Sequence, residues 1–123
     1  MADNSGVIVT TLALGAFNGA THVPLMKIPD GFGGITVLEA ALVGPSAGTV
    51  VAGLLVKLTD AGTPAISGTI GAFTTPGVTA AGVPIACTLS TPYVDEDTWI
   101  GFDQTSGTVP AGTFITLSYI MGK

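Results

Sequence analysis

Few residues of this chain could carry out chemistry. An acidic run at 95–97 (DED) leads into Trp99, the single tryptophan. The chain also has one histidine, His22, and one cysteine, Cys87. A carboxylate cluster could bind a hard cation such as Ca²⁺ or supply the acid pair of a glycosidase. A serine or cysteine nucleophile would need the histidine as its base.

The acidic run is most simply a solvated turn between two strands. It does not match the D-x-[DN]-x-[DN]-G-x₅-E calcium loop, and the side chains of adjacent residues point in different directions. A glycosidase would need a sugar-binding cleft lined with aromatic residues, but these make up only 7% of the chain. We therefore predict a turn at 95–97, with a cation site and a glycosidase pair as the alternatives.

The single tryptophan, histidine and cysteine each have a structural interpretation. Trp99 is expected to be a half-buried anchor where a strand begins, with sugar stacking as the alternative. His22, within ATHVP, matches no nucleophile motif and is expected to end a strand with one hydrogen bond. Cys87 is expected to be a buried small hydrophobe, and one Cys with one His cannot form a zinc site. We predict that the protein is not an enzyme and has no catalytic residue, cofactor or metal.

Charge is scarce in this chain of 123 residues. Charged residues make up 9% of it, whereas a small soluble domain usually carries about 25–35% on its surface. Hydrophobic residues make up 47%, and there is no arginine. These numbers indicate that part of the surface is buried against other subunits. A Thr-rich, weakly charged β monomer is the alternative.

The same composition argues against several partners. With a net charge of −5 and three basic residues, the chain has no basic stripe for nucleic acid or for an anionic membrane surface. The longest apolar run, at 50–56, is far shorter than the roughly 20 residues that span a bilayer. The start MADNSG lacks the positive region of a secretory signal, and one cysteine makes no internal disulfide. We therefore expect assembly in a cytoplasm.

Short β-branched segments separated by Gly, Pro and Thr predict strands throughout. The eight predicted strands are 7–14, 22–28, 34–43, 49–59, 65–73, 83–89, 98–104 and 113–120. Turn signals at this spacing are typical of an antiparallel β-sandwich, here jelly-roll-like, with an up-and-down barrel as the alternative. The predicted fold class is therefore all-β, in one sandwich domain at 21–123.

Two local patterns refine this prediction. Residues 1–20 are small and apolar without a strong alternating face, so we expect an N-terminal arm or first strand that reaches a neighbouring subunit. In the segment 34–43, simple alternation places Ile35, Val37, Ala41 and Val43 on one face with Glu39. Apolar residues on both faces of this segment indicate that both faces are at least partly covered.

Two stretches resemble small β-sandwich proteins of tailed-phage virions. They are ITVLEAALVGPSAG followed by VVAGLLVKL, and YVDEDTWIGFDQTSGTVPAGTFITLSYI. The shared pattern is a strand, an acidic turn, a W-I-G-F-like strand, a Gly/Thr/Pro turn and a final amphipathic strand, and it covers residues 35–120. The resemblance implies a capsid decoration (cement) protein, or a domain of a head or tail fibre.

This resemblance sets the functional expectation. A decoration protein would self-associate, with a trimer favoured, and bind the major capsid protein on the virion surface after assembly in the host cytoplasm. The candidate interface residues are Val7, Ile8, Val9, Leu12, Leu14, Phe17, Phe32 and Trp99. The alternative is a receptor- or carbohydrate-binding β module of a phage fibre, for which Trp99, Tyr93 and Asp97 could form the cleft.

Overall fold

The computed structural model describes residues 6–14, 17–18, 22–31, 33–44, 52–73, 84–106, 108–109 and 112–122. Every regular element in these residues is a β-strand. The strands are β1 (Val7–Ala13), β2 (Phe17–Asn18), β3 (His22–Lys27), β4 (Ile35–Val43), β5 (Ala52–Thr59), β6 (Ile66–Phe73), β7 (Ile85–Leu89), β8 (Tyr93–Val94), β9 (Thr98–Ser106), β10 (Thr108–Val109) and β11 (Phe114–Met121). The eight long strands correspond to the eight predicted segments, and the two-residue strands β2, β8 and β10 are additional.

The strand pairing is that of a jelly roll. The long strands follow one antiparallel order, β1-β11-β4-β7-β6-β5-β9-β3. We call β1-β11-β4-β7 the first sheet and β6-β5-β9-β3 the second sheet. The first long strand pairs with the last and the second with the second to last, which is the double Greek-key winding of a jelly roll. The predicted all-β antiparallel fold is therefore confirmed.

The two sheets are joined at β7. Ile85 and Ala86 of this strand pair with β4, whereas Cys87–Leu89 pair with β6. At the opposite ends of the strand order, β1 and β3 contact each other without pairing. The sandwich therefore approaches a closed barrel on that side.

The core lies between the two sheets and contains side chains from both. The second sheet contributes the fully buried rings of Phe73 on β6 and Phe102 on β9, whose centroids lie 6.0 Å apart with ring planes at 47°. The first sheet contributes buried side chains that include Leu42, Ile115 and Leu117. Complete burial of such a side chain stabilises the fold by about 1.5–3 kcal/mol.

A β-bulge in β4 changes which residues of this strand point inward. The register against β11 shifts between Ser118 and Tyr119, so that Ser118 lies opposite Glu39 and Tyr119 opposite Val37. Leu38 is the extra residue, and it is exposed together with Glu39. The predicted single alternating face is therefore wrong beyond Val37, because a bulge inserts one residue and reverses the alternation.

The N-terminal segment contributes a strand to the domain. Residues Val7–Ala13 form β1 and pair with β11 over their whole length. Leu12 and Leu14 belong to the buried core. The rest of the segment predicted as an arm lies outside the described residues, apart from Gly6 and β2. Deleting 1–20 would remove a strand of the sheet, so point substitutions are the sharper test of this region.

A glycine in β9 makes close packing possible. A Cβ atom on Gly101 would lie 2.5 Å from Leu58 Cδ1 and 2.7 Å from the carbonyl oxygen of Val23. The side chain of Leu58 is fully buried, although it does not belong to the main core cluster. Gly101 therefore leaves the space in which Leu58 packs against β9.

We predict that Gly101→Ala lowers the free energy of unfolding by about 1–3 kcal/mol, because an added methyl group overpacks this site. Chemical denaturation monitored by Trp99 fluorescence measures the change. Gly62→Ala is the matched control, since a Cβ there meets nothing within 4 Å. Equal stability of the two variants would contradict the proposed role of Gly101.

Candidate functional site

The acidic run forms a turn between β8 and β9, and its central side chain is used internally. Glu96 Oε2 accepts hydrogen bonds from the backbone N–H groups of Gly31, at 2.9 Å, and Gly33, at 3.0 Å. A carboxylate that accepts two amide protons is a strong, charge-assisted partner. Glu96 therefore holds the loop between β3 and β4 against the β8–β9 turn.

Asp97 gives this turn its backbone shape. Its φ of 60° lies in the left-handed region, which Asp tolerates better than most residues. Its N–H donates to the carbonyl of Ile28 at 2.9 Å, and the Ile28 N–H donates to the carbonyl of Thr98 at the same distance. Asp97 Oδ1 also lies 3.9 Å from Lys27 Nζ. The residue closes the turn onto the end of β3.

Tyr93 holds the other side of the same loop. Its hydroxyl donates to the carbonyl oxygen of Gly33 at 2.6 Å. Burial raises the pKa of Tyr93, and the nearby negative charges of Asp95 and Glu96 raise it further. Gly34 has a φ of 85°, and a Cβ there would lie 2.5 Å from the Tyr93 hydroxyl. The phenol, the glycine and the carboxylate of Glu96 thus form one structural unit.

A second cluster fixes the turn that follows β5 onto the second sheet. Asp60 accepts hydrogen bonds from Lys27 Nζ at 2.8 Å and from Trp99 Nε1 at 3.0 Å. These hydrogen bonds, that of Lys27 first, lower the pKa of Asp60, and the bond to Asp60 raises the pKa of Lys27. His22 Nε2 donates to the carbonyl of Pro64 at 3.0 Å, so this nitrogen carries the proton.

This cluster accounts for two of the residues discussed from the sequence. Trp99 is half-buried near the start of β9, and its indole N–H is bonded to Asp60, as expected of an anchor residue. His22 begins β3 and makes one hydrogen bond through its ring, which confirms that prediction. The turn at 60–64 is thereby held against β3 and β9.

The cysteine is poorly suited to nucleophilic chemistry. Cys87 is half-buried and packs against the core, and burial raises the pKa of its thiol to about 11. The thiol is therefore protonated at neutral pH, whereas the thiolate is the reactive form. Three strands lie between β7, which carries Cys87, and β3, which carries His22, in the strand order. The fold does not pair these two residues.

The described residues contain no group of three or more His, Cys, Asp or Glu side chains that could hold a metal ion. In the same part of the chain, no helix is long and apolar enough to cross a membrane.

Exposed apolar side chains are concentrated on the first sheet. Of the six large ones among the described residues, five belong to its strands: Val7, Ile8, Val9, Leu38 and Met121. The sixth, Ile66, lies on β6. Large apolar side chains are normally covered when they form one continuous patch on a surface.

A shallow groove of about 490 Å³ crosses the strands of the first sheet. Its lining comes from β1, β11, β4 and β7, and it is formed by Val9, Leu38, Glu39, Ala40, Ala41, Ala86, Cys87, Thr116, Leu117 and Ser118. Glu39 is the single charged residue of that lining. We call the surface around this groove the open face, because the described chain leaves it uncovered.

The predicted interface residues divide into four groups. Val7, Ile8 and Val9 are exposed on β1, next to the open face. Leu12 and Leu14 are buried in the core. The backbone of Phe17 lies in β2, but its side chain and the whole of Phe32 are outside the described residues. Trp99 is bonded to Asp60 on the second sheet.

Sequence reasoning missed Leu38, which is as exposed as Val7 and lies in the middle of the open face. A signal for it was present, because the segment 34–43 has apolar residues on both of its alternating faces. Simple alternation places Leu38 on the face opposite to Val37, and the bulge that turns Glu39 outward beside it has no mark in the sequence itself.

These features define an all-β protein of jelly-roll topology. Hydrogen bonds hold a turn against its second sheet, and the described chain leaves the open face of its first sheet uncovered. No family model matches the chain, and neither a curated protein nor a solved structure matches it significantly.

We predict that Asp60→Ala lowers the thermal unfolding midpoint at neutral pH, and that Asp60→Asn, which keeps an acceptor for Trp99, lowers it less. The folded protein lowers the pKa of Asp60, so this stabilisation is present above the ordinary carboxyl pKa and is lost as the pH falls through the lowered value. The gap between wild type and Asp60→Ala should therefore shrink in acid. Thermal melts across pH measure it, with Glu39→Ala, on the first sheet, as the control. A gap that stays constant down to strong acid would refute the role of the charge.

We also predict that Glu96→Ala exposes the amides of Gly31 and Gly33, since it removes their shared acceptor. Their hydrogen exchange, followed by NMR, should become several-fold faster, and Glu96→Gln should have a smaller effect. The Ile28 amide, which is bonded to Thr98, is the internal control. Unchanged protection of both glycines in Glu96→Ala would contradict this role.

Proposed function

We propose that this protein is a non-enzymatic structural protein of a phage virion, a capsid decoration protein that self-associates and stabilises the head. The observation that carries the proposal is the open face. It brings exposed apolar side chains together with small uncharged ones, and its groove lining has one charge, Glu39. A surface of this composition suits contact with another protein rather than chemistry on a small molecule.

The contrast between the two sheets supports this proposal. On the second sheet, hydrogen bonds within the chain hold the turn at 60–64 in place. Asp60 accepts from Lys27 and Trp99, and His22 donates to the carbonyl of Pro64. On the first sheet, Val9 and Leu38 are exposed instead. Glu39 is the one charged residue in the lining of the groove on this face. So little charge on a surface favours a partner that covers it.

The environments of the carboxylates and the thiol that could in principle act in catalysis support a non-enzymatic role. The carboxylates of Glu96 and Asp60 each accept two hydrogen bonds from their own chain. The Cys87 thiol has a raised pKa. An active site needs its acid, base or nucleophile directed at a substrate, whereas here these groups hold loops and turns in place.

The proposed partner is the major capsid protein, and the proposed location is the capsid surface. A jelly roll occurs in viral capsid proteins and in lectins alike, so the fold alone does not select between them. The resemblance over residues 35–120 and the open face favour the capsid role. Assembly in the host cytoplasm and the trimeric state stay predictions.

A receptor- or carbohydrate-binding module is the alternative hypothesis for the function, and the contacts of its candidate residues support it less. It would use Trp99, Tyr93 and Asp97 as a polar and aromatic cleft. The indole N–H of Trp99 is bonded to Asp60, and the hydroxyl of Tyr93 donates to the carbonyl of Gly33. Both groups would have to leave these partners in order to bind a sugar.

We predict that Leu38→Lys weakens binding to purified phage heads lacking this protein by at least about tenfold, which corresponds to 1.4 kcal/mol. The added ammonium group would be buried without a partner when the open face is covered. Co-sedimentation of the variant with the heads measures the affinity.

Ile66→Lys is the matched control for this experiment. Leu38 is 41% exposed and Ile66 is 43% exposed, so the two substitutions change charge and apolar area almost equally on different sheets. Ile66→Lys should bind as the wild type does. Equal binding by all three proteins would overturn the assignment of the open face, and no binding of the wild type would overturn the capsid role.

A further inference from the structure

The continuous sheet has two edges within the described residues, and they differ in how they are protected. One edge is β3 and the other is β1. An edge strand presents unpaired backbone N–H and C=O groups, to which another strand can add. Proteins that stay monomeric block such edges with proline, charge or a bulge.

The β3 edge carries all three of these protections. Pro24 lacks a backbone N–H, and Lys27 places a charge at the end of the strand. The register against β9 shifts between Pro24 and Met26, so Leu25 is a bulge. A further strand therefore cannot pair regularly along β3.

The β1 edge carries none of these three protections, and β3 contacts it without pairing. Its sequence, VIVTTLA, has no charge and no proline. It pairs with β11 through seven consecutive residues without a register shift, so the strand is regular. Val7 and Ile8 are each 39% exposed and Val9 is 72% exposed. A regular, uncharged and apolar edge is the kind that accepts another strand.

We infer that β1 pairs antiparallel with β1 of a second copy of this chain. This inference deepens the self-association in the proposed function and rests on that part of it. The absence of charge on β1 makes this edge the place where two copies can meet. The chain carries a net charge of −5, so two copies repel each other over most approaches, but at the β1 seam no like charges face each other. Antiparallel addition also continues the antiparallel order of the first sheet.

The pairing has a geometric consequence for the open face. A two-fold axis that relates two antiparallel neighbouring strands of one sheet runs perpendicular to that sheet. The same face of each copy therefore lies on the same side. The two first sheets become one eight-stranded sheet, and the two open faces become one continuous surface available to the capsid. The contact is two-fold, unlike the trimer favoured from the sequence.

Light scattering after size exclusion tests the inference on the wild-type chain. At high concentration we expect a dimer, with twice the chain mass of 12.1 kDa, or a larger oligomer with an even number of chains. Amide exchange in Val7–Ala13 should also slow as the concentration rises, because the outward N–H groups gain partners. A monomer at every concentration, or an odd-numbered oligomer, would overturn the inference.

Substitutions locate the contact. Val9→Lys places two like charges at the seam and should weaken self-association at least about tenfold. Leu38→Lys, on an inner strand of the same sheet, and Ile66→Lys, on the second sheet, should associate as the wild type does. Dissociation of Leu38→Lys to the same extent would mean that copies meet through the face, and wild-type association of Val9→Lys would exclude the edge.

A charge-swap experiment guards against misfolding of the variants. Val9→Glu alone should also fail to associate, but a mixture of Val9→Lys with Val9→Glu should recover dimers, because opposite charges then meet at the seam. Dimers absent from the mixture, when both variants keep the wild-type circular dichroism, would overturn the inference. Its failure is separable from that of the capsid role, since head binding is measured with Leu38→Lys, whose edge is intact.

Discussion

The packing of the two sheets against each other is the interaction on which the rest of the structure depends. Phe73 and Phe102 of the second sheet and Leu42, Ile115 and Leu117 of the first sheet are all buried in the core between them. Each inward side chain of one sheet is buried only because the other sheet covers it, so neither sheet would be stable alone. The strand β7 belongs to both layers, since it pairs with β4 through its first residues and with β6 through its last. This shared strand fixes the position of one sheet relative to the other.

The positions of the strands could be read from the sequence, because each long strand is a β-branched or apolar segment between Gly, Pro and Thr. The strand order could not be predicted, since β1 and β11 pair across almost the whole chain. Such pairing depends on the three-dimensional fit of the sheets and not on any local pattern.

The surface proposed for partner contact was predicted less well for a related reason. Val7, Ile8 and Val9 were named as interface residues from an apolar segment without a clear alternating face, and the structure shows that they are exposed. Leu38 was missed because both alternating faces of the segment 34–43 carry apolar residues, so the pattern did not show which face is exposed. The bulge that turns Glu39 outward beside Leu38 depends on the partner strand. The contacts of Glu96 with Gly31 and Gly33 join residues more than sixty positions apart, so the sequence suggested a turn but not what the turn holds.

The two sheets also show how a chain with few charges distributes them. Lys27, Asp60 and Asp97 lie close together beside β3 and β9, where the Lys27–Asp60 ion pair holds the turn that follows β5. Surface ion pairs of this kind add little stability, so their value here is to fix one conformation of that turn. The first sheet keeps Glu39 in its groove and no charge on β1. If the chain were selected to stay monomeric, its protective charges would be expected on the regular apolar edge of β1. They lie instead beside the β3 edge, which Pro24 and a bulge already protect, and this distribution supports the proposed pairing at β1.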